Sequence, residues 1–109
     1  MRQLFAVLAI TLVTFDPASS KSIKNVELEI GSLTTSGEYS TQVVSVTNKT
    51  GKEIKEVKVE CAFYQQSKLL ASARSFIENL DDGEMGSDEV VADKSEGATD
   101  TKCRIVDIQ

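Results

Sequence analysis

The 109-residue chain has no histidine, no tryptophan, one proline and two cysteines. Without histidine, the commonest general base and the commonest neutral metal ligand are both missing. A Ser-His-Asp triad cannot be assembled. Aromatic residues make up only 6%, which leaves little for a stacking platform against sugars or nucleobases. Seventeen acidic residues against twelve basic ones give a net charge of −5, the wrong sign for a nucleic-acid footprint. No glycine-rich phosphate loop, dinucleotide fingerprint or amphipathic helix is present. No tuned nucleophile, base or metal set can be put together from these residues, so a non-catalytic protein without a cofactor is expected. What is there suits a folded domain: 40% hydrophobic and 27% charged residues with six glycines. That composition excludes collagen-like, coiled-coil and wholly disordered chains.

The chain opens on the cationic stretch Met1-Arg2-Gln3, and residues 4–15 then run apolar, broken only by Thr11 and Thr14. Asp16 and Pro17 end the run, and Ala18-Ser19-Ser20 follows. This is the pattern of a secretory signal peptide, with Ala18 and Ser20 at the −3 and −1 positions of a cleavage before Lys21. A helix of that length rises only ~18 Å against a hydrocarbon core of ~30 Å, which argues against an uncleaved anchor. No cysteine lies near the end of the run to carry a lipid. The expectation is a helical signal peptide over 1–20 and one domain over 21–109. That domain would be periplasmic or secreted, off the membrane after cleavage.

Cys61 and Cys103 are separated by 42 positions, so neither a C-x-x-C redox motif nor a zinc knuckle can be drawn. An even pair in an exported chain points to a disulfide. Closing a loop of that size stabilises by roughly 4 kcal/mol in the chain-entropy picture. Two buried free thiols or a reactive thiol are the alternatives, and Lys102 and Arg104 beside Cys103 are the only neighbours that favour the latter.

The hydrophobic pattern repeats every two residues, not every 3.6. Val26, Leu28 and Ile30 alternate with Asn25, Glu27 and Glu29; Gly31 ends that strand, and 33–38 reads as a Ser/Thr/Gly connection. Residues 39–47 form a second strand, with Val44 and Val46 on one face and Val43 on the other. Asn48 to Lys52 is a polar turn with Gly51 placed for positive φ. Residues 54–66 form the strongest strand, with Val57, Val59, Cys61 and Phe63 on one face. Gln65 to Lys68 turns without the expected Gly or Asn. Residues 69–77 return, with Leu69, Ala71, Ala73 and Ile77 opposed to Leu70, Ser72, Arg74 and Phe76. After the turn Leu80 to Glu84 come a short strand over 87–92, a polar loop over 93–99 and a last strand over 101–108. In that strand Cys103 and Ile105 face inward, and Val106 and Ile108 the other way. Six or seven short strands with polar turns predict an all-β, antiparallel sandwich.

The stretch from Val43 to Ala92 resembles the FxLYD-type domains of bacterial exported proteins. The resemblance is carried by Val46-Thr47-Asn48-Lys49-Thr50-Gly51-Lys52, Ile54-Lys55-Glu56-Val57-Lys58-Val59 and Phe63-Tyr64. It continues in Ser75-Phe76-Ile77-Glu78-Asn79-Leu80 and Gly83-Glu84. Asp82 stands where that family often has Pro. The resemblance implies a small immunoglobulin-like β-sandwich serving as an accessory or binding module, and it supplies no catalytic residues.

Asp81, Asp82, Glu84, Asp88 and Glu89 place five carboxylates close together, which makes them candidates for Ca²⁺, an ion that wants six to eight hard oxygens. Their spacing is not that of an EF-hand, and a solvated acidic turn is the preferred reading. Ser67 beside Lys68 is the one Ser–Lys pair worth naming, although neighbours on a strand or turn point apart. Lys49, Lys52, Lys55 and Lys58 are interleaved with Glu53, Glu56 and Glu60, as on a solvated strand face. Asn48-Lys49-Thr50 fits the glycosylation sequon. The sequence therefore predicts an exported, non-catalytic interaction module of the cell envelope. It would hold another envelope protein through a sheet edge, at 39–46 or 87–92. A Ca²⁺-binding protein built on the 81–89 turn and a small secreted enzyme inhibitor are the alternatives. The sequence names neither the partner nor the oligomeric state.

Overall fold

A computed structural model describes residues 20–21 and 24–109. The expected signal segment, 1–20, lies outside the described residues apart from the backbone of Ser20. Seven strands follow in order: β1 (Ser20–Lys21), β2 (Val26–Ser36), β3 (Tyr39–Asn48), β4 (Ile54–Gln65), β5 (Lys68–Leu80), β6 (Met85–Ala92) and β7 (Asp100–Ile108). One sheet has the order β1-β7-β4-β5 and the other the order β2-β3-β6. Every pairing is antiparallel except the two-residue contact of β1 with β7, which is parallel. From β2 onward the chain crosses between the sheets after β3, β5 and β6. These crossovers give the Greek-key order of an immunoglobulin-like sandwich.

Period-two alternation explains why the two sheets close on each other. Val44 and Val46 of β3, Val57, Val59, Cys61 and Phe63 of β4, and Val90 of β6 are all fully buried. Their odd- or even-numbered neighbours stay exposed or half-exposed. β-branched side chains fit such a pleated, one-sided surface. Gly86 is needed where β6 passes β5: a Cβ there would lie 2.7 Å from Ile77 Cγ2 and 2.8 Å from Leu80 Cδ2.

Three bulges account for the places where the sequence reading differs from the fold. β2 does not end at Gly31. The register shifts between Ile30 and Leu33, and the strand resumes to pair Leu33 through Ser36 with Gln42 through Tyr39. The supposed connection 33–38 is thus mostly strand, and only Gly37 and Glu38 turn. A second shift, between Phe63 and Tyr64, sets Tyr64 opposite Leu69 and leaves Leu70 as the extra residue. Leu69 is consequently 55% exposed, while Leu70 packs against the core. A third shift sets Val59 opposite Ile105 but Lys58 opposite Asp107. Val106 is the bulged residue, and Ile108 returns to the core side instead of the outer face. A bulge resets the parity of everything beyond it, which a strict alternation cannot register.

Candidate functional site

Cys61 and Cys103 sit directly opposite each other on β4 and β7 with Cα atoms 4.0 Å apart, and they form a disulfide. Both point inward and both are buried. No free cysteine remains among the described residues, which removes the two thiol alternatives. The bridge joins neighbours within one sheet; the two layers are held together by packing and hydrogen bonds. A buried bridge of this kind belongs to an oxidising environment.

Asn48, the first residue of the sequon, closes one end of the core. Its side chain is fully buried. Nδ2 donates to the carbonyls of Lys52 (2.7 Å) and Leu80 (3.0 Å). Oδ1 accepts from the amide N–H (3.0 Å) and the hydroxyl (2.7 Å) of Thr50. Its backbone N–H donates to Glu84 and its carbonyl accepts from Gly83. Both donors on the amide nitrogen are spent and the group is inaccessible, so the Asn-x-Thr pattern is here an Asx turn and not a glycan acceptor in the folded state.

The acidic turn has the same structural use. Asp82 Oδ1 accepts the Gly51 N–H (2.8 Å), and Glu84 Oε1 accepts the Asp81 N–H (2.8 Å). Asp88 and Glu89 lie further along β6, opposite Val44 and Val43 respectively. They therefore point to opposite faces of that strand. Among the described residues no three acidic or thiol side chains converge as a metal site would require. The five carboxylates are near in sequence and dispersed in space.

Near the other end the core is polar. Gln42 is buried, and its Nε2 donates to the carbonyls of Gly31 (2.9 Å) and Ser32 (3.1 Å), the two residues that the β2 bulge leaves facing a single partner. Its Oε1 accepts the Thr101 hydroxyl (2.6 Å) and so ties β3 to β7 across the sandwich. Ser40 donates to the Ser95 carbonyl (2.6 Å), and Ser95 to that of Ala92 (2.8 Å). The hairpin between β4 and β5 turns on Gln66 and Ser67, with φ of 48° and 75°. Two successive positive φ angles define a type I′ turn, which Asn and Gly normally fill. Ser67 and Lys68 are exposed on this hairpin and form no enclosed pair.

The outer face of the β7-β4-β5 sheet carries the charge chemistry. Glu60 lies between Arg74 and Arg104, with nitrogen–oxygen distances of 3.1 and 3.0 Å. The hydrogen bonds from Arg104 and then Arg74 hold its carboxyl below the usual carboxylate range. Lys58 Nζ sits over the Phe76 ring at 5.5 Å and Lys102 Nζ over Tyr64 at 5.4 Å. Of the basic run read from the sequence, Lys58 belongs to this lattice, while Lys49 pairs with Glu27 at 3.1 Å on the other sheet. Pairing across strands, invisible in a linear reading, assembles Arg74 and Arg104 around Glu60.

The expected binding edges need correction. Residues 39–46 lie in β3, which is paired on both sides, to β2 and to β6. No strand can be added there. β6 is an edge strand, as read, but Asp88 occupies an inward register position opposite Val44 and Gly86 is wedged against β5. An inward-pointing charge is a common guard against edge pairing. An open recess of about 380 Å³ beside it is lined by Val43, Ser87, Asp88 and Glu89. Comparison with protein-family models, curated proteins and solved structures finds no match. The class that the fold defines is a disulfide-bridged Greek-key β-sandwich.

Proposed function

We propose that this chain is an exported, non-catalytic interaction module of the cell envelope, of the FxLYD-like kind, acting outside the cytoplasm after loss of residues 1–20. The observation that supports it best is the Cys61–Cys103 bridge, set in the middle of the core where only an oxidising compartment would complete it. The cationic start, apolar run and Ala18-Ser19-Ser20 of the leader agree with that compartment. The surface has the mixed charge of a domain meant to stay in solution, with binding left to a sheet edge.

The test is to express the full chain and recover it by fractionation. The expected product begins at Lys21, appears outside the cytoplasm and shows no free thiol after denaturation. A full-length cytoplasmic product with two titratable thiols would overturn the proposal.

A further inference from the structure

The sheet edges differ in what blocks them. β6 has its inward Asp88 and the close passage of Gly86. β2 breaks register at Gly31 and Ser32. β5 bulges at Leu70; from Ala71 to Leu80 it keeps register with β4, but Ala71 and Ala73 are only half-buried and its Ile77–Leu80 end is crossed by β6 at Gly86. β7 differs. From Asp100 to Ile105 it runs in continuous register with β4, and its bulge comes only at Val106. Its inward residues Thr101, Cys103 and Ile105 are buried, so the strand is rigidly seated on the core. Among the described residues its far edge is hydrogen-bonded only to β1, at Ser20 opposite Cys103 and Lys21 opposite Arg104, while β2 of the other sheet also passes near the strand.

That short parallel pairing shows that the edge accepts a strand. It also covers only two of the nine residues of β7. Cleavage before Lys21 would remove half of it. The outward side chains along this edge are Asp100, Lys102, Arg104 and Asp107, acidic at both ends and cationic in the middle. The middle is only partly neutralised by its neighbours, since one carboxylate faces two arginines and a lysine. Glu60 is shared between Arg104 and Arg74, and Lys102 meets the Tyr64 ring.

We propose that the outer edge of β7 is a strand-acceptor site for an extended segment of a partner protein. That segment would carry acidic side chains opposite Lys102 and Arg104 and apolar ones between them. The proposal rests on the exported interaction-module reading and gives it a site. Backbone hydrogen bonds along β7 would supply the attachment, and the two cations would set register and choice of partner. The apolar side chains of the incoming strand would fall on the same face as Cys103 and Ile105 and extend the core over the seam. Edge cations alone also serve as guards against self-association, and the experiment separates the two roles.

The exported, oxidised protein would be titrated with two nine-residue synthetic peptides. One alternates valine with glutamate between serine ends; its twin has lysine for glutamate. Amide shifts and hydrogen exchange are followed by NMR. The expected result is protection along β7, a roughly tenfold preference for the acidic peptide, and loss of that preference by about 0.5 M salt. The double variant K102E/R104E should reverse the choice, with native-like spectra elsewhere as its folding control. No binding at millimolar peptide, equal binding of both peptides, or shifts centred on β2, β5 or β6 would each overturn the β7 assignment. Such a failure on an exported, disulfide-bonded protein leaves the module reading standing. A cytoplasmic, reduced product defeats that reading whatever the peptides do.

Discussion

At one end of the sandwich the loops 49–53 and 81–84 meet over an aliphatic interior. At the other, the turns 37–38 and 66–67 and the loop 93–99 close over Ser40, Gln42, Ser95 and Thr101. The first end is knitted by one residue. Asn48 spends both amide donors, its carbonyl oxygen and its backbone on four other residues from the two loops and on Leu80. The second end distributes the same work over pairwise bonds, Gln42 with Thr101 and Ser40 with Ser95. It also tolerates Gln66, Ser67 and Lys94 at positive φ, where each side chain is disfavoured. A hub concentrates risk, whereas a dispersed set of bonds leaves room for local strain. The two ends should therefore respond oppositely to substitution.

The largest effect is expected from Asn48→Ala. It leaves the buried Leu80 carbonyl without its side-chain donor, the Lys52 carbonyl with Thr50 Oγ1 alone, and the Thr50 N–H without its acceptor, and should cost about 3 kcal/mol in chemical denaturation. A loss well under 1 kcal/mol would mean that the loops hold without their hub. At the opposite end, replacing Gln66 by Asn and Ser67 by Gly relieves two strained positions without touching a core contact. The pair should raise stability by about 1–2 kcal/mol and slow unfolding. A destabilised variant would show that the strain is offset by contacts of the native side chains.

The smallest effect belongs to Glu60, midway between the ends. Its folded pKa is depressed below the ordinary 4.5 by Arg104 and Arg74. A depressed acid contributes stability that is fully present above its unfolded pKa and is lost as pH falls through the folded value. Glu60→Gln should thus flatten the acid limb of the stability curve below about pH 4.5 and change little at neutrality, as befits an exposed pair. An acid limb unchanged by the substitution would remove Glu60 from the ledger.

The alternation of Val57, Val59, Cys61 and Phe63 was legible in the sequence because nothing interrupts β4 until Tyr64. So were the turn at Gly51 and the bridge, since two cysteines at core-facing strand positions, behind a leader-like opening, have few other uses. The reach of β2, the exposure of Leu69 and the inward return of Ile108 were not legible. Each depends on a bulge, and the residues there (Gly31, Leu70, Val106) look no different from strand residues elsewhere. The β7 edge was missed for another reason: which strand is flanked on both sides is decided by crossovers between sheets. Local pattern made 39–46 look like an edge when it is the centre of its sheet. The turn at Asn48-Lys49-Thr50 was legible as well, since Asn and Thr two apart serve a buried turn as readily as a glycosylation site.

The covalent link between β4 and β7 has a mechanical side. It encloses β5, β6 and the loops between them within a ring whose ends are 42 residues apart. If the flanking segments were pulled, the ring could not lengthen. Roughly 150 Å of contour would be withheld from extension. A tensile load would peel β2 and β3 first and stop at the sulfur link, leaving the β4–β7 register, and the open flank beside it, undisturbed.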